Sequence, residues 1–213
     1  MKEDNGPKIT SCLMLAANLQ TPVSLSSVFE SGDLKDTGIE YDSHITILYA
    51  ANKNLDIDDV RRSIRNISGN VFNKLLDEKD EVEYSAPVLD LFELGNFEND
   101  SGYVVLKMKP ECEWFNILST LNSGLMKEFN ITSDFSNYIP HLTLAELEPG
   151  ITEKYLNNKS LKLILGGSMI HFEDLIISYS KEGEKEYDVH NITTHHAVDR
   201  FFRIRELRKE AIE

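Results

Sequence analysis

A histidine and a threonine two residues apart occur twice in this chain, each time inside an apolar run. The first copy is Ser43-His44-Ile45-Thr46-Ile47-Leu48-Tyr49 and the second is Ile139-Pro140-His141-Leu142-Thr143-Leu144-Ala145. Two imidazoles and two hydroxyls are sufficient for phosphodiester chemistry without a metal. One neutral imidazole removes a proton from the attacking oxygen, and the other, protonated, hands one to the leaving oxygen. Histidine suits both tasks because its ordinary pKa lies near neutrality. Threonine hydroxyls donate to the non-bridging oxygens, where charge builds in the transition state.

The elements that must position these groups are strands. Both segments are rich in β-branched and aliphatic residues and have strand length. Residues two apart share a face of a strand, so His44 and Thr46 project together while Ile45, Ile47 and Tyr49 turn away. Pro140 favours an extended residue before it and marks a strand start. Polar side chains on an apolar strand cost free energy unless something pairs with them. A cleft is therefore expected, in which two halves of the chain each present a His-Thr pair.

The two H-x-T-hydrophobic segments resemble the signature of the 2H phosphoesterases. That family includes RNA-end cyclic phosphodiesterases, 2′-5′ oligoadenylate-cleaving enzymes and viral enzymes that destroy cyclic-nucleotide immune signals. The resemblance implies an α+β fold of two pseudo-symmetric lobes of antiparallel sheet plus helices, spanning residues 1–193. It also implies His44 and His141 as the acid-base pair, and Thr46 and Thr143 as the phosphate-holding groups. No metal or other cofactor is expected. The His44–Tyr49 segment is similar to that of virus-encoded anti-CBASS phosphodiesterases, which implies a cyclic oligonucleotide or similar signalling nucleotide as substrate and the host cytoplasm as the site of action. Two alternatives stay open: a 2′,3′-cyclic phosphodiesterase acting on RNA ends, and a sponge that binds a nucleotide in the same cleft without cleaving it.

The charge balance narrows the substrate. Lys and Arg total 22 against 36 Asp and Glu, a net charge of −14. A protein that grips long nucleic acid needs a basic footprint, so a small phosphorylated ligand in a local pocket is expected instead. No apolar run approaches the roughly 20 residues that span a bilayer, and the first residues lack the apolar core of a signal peptide. A cytoplasmic protein without membrane attachment is expected. The two cysteines, Cys12 and Cys112, support neither a disulfide scaffold nor a zinc site. Cys12 lies in an apolar run and reads as a buried free thiol.

Along the rest of the chain, residues 9–19 read as a first strand and 20–38 as a loop with one helical turn near Leu25–Phe29. Asp56 opens a helix whose Val60, Ile64 and Ile67 form an apolar stripe, continued by Val71, Leu75 and Leu76 after a break near Gly69. Residues 77–83 form an acidic turn. Residues 84–96 and 102–109 read as two strands, and Trp114 to Phe129 as a helix with Trp114 as core anchor. A short helix over 152–159 and strands over Lys162–Leu165, Met169–Ser178 and Lys185–Asn191 follow.

Two further residues are candidates for substrate binding. Lys107 shares a strand face with Tyr103 and Val105, where it either looks into the cleft to balance a phosphate or snorkels to solvent. Tyr138, just before Pro140, either stacks on a nucleobase or packs at the strand entrance. His171, His190 and the pair His195-His196 read as structural or exposed. Residues 194–213 are expected to form an amphipathic basic helix that packs on its own domain, on a second copy of the chain to give a homo-oligomer, or against a ligand's phosphates.

Overall fold

The computed structural model describes residues 8–76, 84–97, 102–132, 137–181 and 188–192. The expected C-terminal helix, with His195 and His196, and the acidic turn at 77–83 lie outside the described residues.

The chain opens with strand β1 (Ile9–Gln20), 3-10 turns at Leu25–Ser27 and Ser31–Asp33, strand β2 (Leu34–Ile39) and strand β3 (His44–Ala50). Helix α1 (Ile57–Ile67) is capped by Asp56, whose carboxylate accepts from the backbone N–H of Asp58 and Asp59, the groups a helix start leaves unpaired. Helix α2 (Asn70–Leu76), strand β4 (Tyr84–Pro87), the single turn α3 (Val88–Leu91) and strands β5 (Phe92–Gly95) and β6 (Tyr103–Met108) follow. Then come helix α4 (Glu113–Glu128), strand β7 (His141–Leu147), helices α5 (Thr152–Leu156) and α6 (Lys159–Gly166), and strands β8 (Met169–Lys181) and β9 (Asp188–Asn191).

Among the described residues all nine strands belong to one antiparallel sheet, ordered β4-β8-β1-β3-β7-β6-β5, with β2 also on β7 and β9 also on β8. The fold is α+β, as expected. Its two halves join edge to edge along β3 and β7, so the motif strands are neighbours in the middle of one sheet. One face of that sheet is the core. Leu13, Leu15, Ile45, Leu106 and Leu142 pack there with Val60 and Ile64 of α1 and Leu118, Leu121 and Leu125 of α4. Trp114 is buried against Phe72, Tyr84 and Phe172. It is the expected core anchor.

Three expectations need correction. Lys162–Leu165 lies in helix α6, because Asn158 accepts from the Leu161 N–H to cap it and Leu161, Ile164 and Leu165 are buried at helical spacing; a short apolar run does not by itself separate strand from helix. Residues 84–96 form two strands around a helical turn, since Pro87 has no N–H to continue the ladder. The 20–38 loop gives up its end to β2, in which Gly38 takes a positive φ of 65°. That backbone conformation suits glycine.

Candidate active site

The four motif side chains lie on the sheet face opposite the helices. In β3 and β7 the aliphatic neighbours Ile45, Ile47, Leu142 and Leu144 are fully buried, whereas His44, Thr46, His141 and Thr143 are half-buried. Ile45 pairs with Leu142 across the seam in antiparallel register. Carried one residue to either side, that register sets His44 level with Thr143 and Thr46 level with His141. The pairing between β3 and β7 is short. Beyond it, side chains satisfy the β3 carbonyls: Tyr138 Oη donates to Thr46 O (2.8 Å) and Asn122 Nδ2 to Ile47 O (2.7 Å). The seam thus opens beside the histidines without leaving bare backbone.

Both imidazoles are held in the same way. His44 Nδ1 lies 2.8 Å from Asp42 O and His141 Nδ1 lies 2.8 Å from Ile139 O, each carbonyl two residues upstream. A carbonyl only accepts, so Nδ1 carries the hydrogen in both rings and Nε2 is left for proton transfer. Burial pushes the pKa of His141 below the usual histidine value, and the positive charges of His44 and Lys107 push it the same way; the hydrogen bond to Ile139 opposes them. His141 is therefore biased toward the neutral form, the form a general base needs.

Each motif strand carries a β-bulge at the residue three after its histidine. Against β1, Leu13 pairs with Leu48 and Met14 with Thr46, leaving Ile47 as the extra residue. Against β6, Val104 pairs with Ala145 and Val105 with Thr143, leaving Leu144 as the extra residue. Bulges turn later side chains over. Tyr49 was expected to face away from His44; the bulge brings it to the site face, opposite Cys12 and 60% exposed. Glu146 occupies the equivalent place in the second copy, opposite Tyr103.

The remaining candidates divide. Lys107 pairs with His141 in the ladder and shares its face, so its ammonium is on the motif side. Tyr138 packs against the core, and its hydroxyl is engaged by the Thr46 carbonyl; burial drives its pKa well above the ordinary tyrosine value. The structure brings it to the motif strand as a brace. Cys12 lies with its Sγ 3.9 Å from Thr46 Oγ1, and burial pushes its pKa up to about 11, which makes it an inert thiol. His171 sits by Ser85 at the β4–β8 edge and His190 against Tyr179; neither joins the motif histidines. Among the described residues no group of three or more His, Cys, Asp or Glu is placed to hold a metal ion. No described helix is long and apolar enough to cross a membrane.

Phe97 and Tyr103 line the site beside His141, outside either motif. Phe97 packs its ring on His141 (centroids 4.6 Å apart, 85° between planes) and edges toward Tyr103 (6.5 Å, 68°). Tyr103 hydrogen-bonds Glu146, which also pairs with Lys35 at 3.0 Å. Tyr103 was legible by its alternation with Lys107. Phe97 follows β5 in a turn-rich stretch with no periodicity to flag it.

No family model and no curated protein matches this chain. Among solved structures it is similar to E. coli LigT complexed with 3'-AMP, at 12% identity over 84% of this chain and 95% of that one, with a TM-score of 0.43. A structure described as a phosphoesterase matches at 11% identity over 83% of this chain and 95% of that one, with a TM-score of 0.39. E. coli LigT complexed with NADP+ matches at 10% identity, covering 84% of this chain and 95% of that one, with a TM-score of 0.38. At this distance the likeness adds nothing to the geometry.

Proposed function

We propose that this chain is a metal-independent phosphodiesterase that hydrolyses a small nucleotide through His44 and His141. The observation that supports this best is the pair of imidazoles, each with Nδ1 tied to the carbonyl two residues upstream and each level with the other copy's threonine. Two identical tethers present two Nε2 atoms at one seam. A structural histidine needs no such repetition.

His141, biased neutral, takes the proton from the attacking oxygen as the P–O bond to it forms. His44 donates its proton to the leaving oxygen as the other P–O bond breaks. Thr46 and Thr143 donate to the non-bridging oxygens, and Lys107, beside His141, contributes positive charge toward the phosphate. Tyr138 acts indirectly, by holding the Thr46 carbonyl. The donor set favours chemistry without a metal, since two neutral-nitrogen donors and two hydroxyls lack the carboxylate or thiolate partners that divalent ions usually take.

Within this class the substrate we favour is a cyclic oligonucleotide or a related signalling nucleotide. The net charge of −14 disfavours long nucleic acid, and the resemblance of His44–Tyr49 to the anti-CBASS enzymes supports a cyclic substrate. The test is a panel of linear and cyclic nucleotides incubated in EDTA, with products identified by chromatography and mass. We expect one ring-opened or shortened product ending in a phosphate. Ligand returned intact from a tight complex would make the protein a sponge, and turnover abolished by EDTA would remove metal independence.

A further inference from the structure

Resting on the acid-base reading above, we infer that Phe97 is a positioning residue for His141: its ring sets the plane of that imidazole and walls water from one side of it. The tether from Nδ1 to Ile139 O fixes one edge of the imidazole. The Phe97 ring, perpendicular to it at a centroid distance of 4.6 Å, supplies a second contact, an edge-to-face arrangement that aromatic pairs favour. Phe97 is itself supported. Tyr103 meets it edge-on at 6.5 Å, and Lys107 Nζ lies 6.0 Å over its ring. Gly95 leaves the room for this arrangement, because a Cβ there would come within 3.3 Å of Lys107 Cδ.

His44 has the same tether and lacks this wall. Its ladder partner on β1 is Ala16, and among the described residues no aromatic ring is packed on it. The two imidazoles therefore differ in the aromatic contact they make, and covering one side of the His141 ring disfavours its charged form. The charged and titratable groups around His141 are His44 across the seam, Lys107 on β6, and Glu93 of β5, which is the ladder partner of Lys107. Farther along β6 and β7 are Tyr103 and Glu146, and Lys35 of β2 pairs with Glu146. Lys107 acts on His141 in the same direction as the wall, so the test must separate the two.

The experiment is a histidine titration by proton–nitrogen NMR on the full chain, with His141 assigned by His141→Gln. It compares wild type, Phe97→Ala, Phe97→Leu, Lys107→Gln and the double variant Phe97→Ala/Lys107→Gln. In wild type, His141 should titrate below the ordinary value of about 6.5. Phe97→Ala should raise its midpoint by about half a unit in both the wild-type and the Lys107→Gln background, with His44 unaffected by the substitution. Phe97→Leu keeps apolar bulk and should move the midpoint the same way by less. In activity, the acidic limb of kcat/KM should follow the midpoint upward, with kcat down about tenfold and KM nearly unchanged, because the geometry rather than the binding is lost. An unmoved His141 midpoint in both backgrounds overturns the inference. So does an equal shift of both histidines, which would report general loosening. If only the leucine variant folds, an unchanged midpoint there overturns it. The titration needs no substrate, so a protein that cleaves nothing yet shows the shift would refute the phosphodiesterase reading and leave the role of Phe97 standing.

Discussion

Along β3 the ladder partners of His44, Thr46 and Tyr49 are Ala16, Met14 and Cys12; along β7 those of His141, Thr143 and Glu146 are Lys107, Val105 and Tyr103. The two motif strands are otherwise alike. They share the tether from Nδ1 to the carbonyl two residues back, the burial order of the first five residues and the bulge three residues after the histidine. Beside the first copy the site face continues into an apolar cluster of Met14, Ala16, Ile176 and Val189. Beside the second it carries cations and aromatic rings. Equal backbones with unequal neighbours give two histidines of equal reach and different environment. Such a difference suits a reaction that needs one base and one acid.

The largest effect should come from removing either histidine. His44→Ala and His141→Ala should each lower kcat by about 10²–10⁴-fold, measured as initial rates with folding checked by circular dichroism. The comparison is sharpened by the residual pH profiles. Wild-type kcat/KM should be bell-shaped, with apparent pKa values belonging to the coupled pair. His141→Ala should lose the acidic limb and His44→Ala the alkaline one; the opposite assignment would exchange their roles.

Thr46→Ala and Thr143→Ala should cost less, about 10–100-fold in kcat, because each leaves the other donor in place. Equal losses at the two positions would fit the symmetric register across the seam. A large loss at only one would mean that the phosphate is held by a single copy.

Lys107→Ala makes the second flank resemble the first, where alanine stands at the matching position. We expect KM to rise roughly tenfold, equivalent to about 1.4 kcal/mol, and the acidic limb to move toward higher pH as a positive neighbour of His141 is removed. A midpoint that falls instead would contradict the placement of Lys107 beside that ring.

Stability against pH should carry the mark of His141. Its folded pKa is depressed, so the unfolded chain binds more protons between that value and the unfolded one, and stability rises with pH across this window. The contribution is present above the unfolded value of about 6.5 and is lost as pH falls through the folded value. Thermal melts of wild type and His141→Gln over this range should differ in slope, the variant being flatter. The smallest effect expected is that of Tyr138→Phe. It removes the donor to Thr46 O and should cost about 1 kcal/mol, visible as a lower Tm with the pH profile unchanged in shape.

The sequence by itself determined the motif strands, the sharing of one face by His44 and Thr46, the helices α1 and α4 and the acidic net charge. These follow from period-2 and helical apolar spacing, from Asp56 at a helix start, and from net charge, all of which are local or additive properties. Lys107 was placed as a candidate by alternation alone, since parity along a strand is fixed by the backbone. Tertiary structure decided what lies beside each motif. That Ala16 meets His44 and Lys107 meets His141 depends on which strands pair and in what register, and no periodicity within either strand encodes its partner. The bulges at Ile47 and Leu144 are likewise visible only against β1 and β6, and they turned Tyr49 onto the site face against the expectation from strict alternation. Phe97 reaches His141 from beyond the end of another strand, a contact made by the folding of the chain and not by its local pattern.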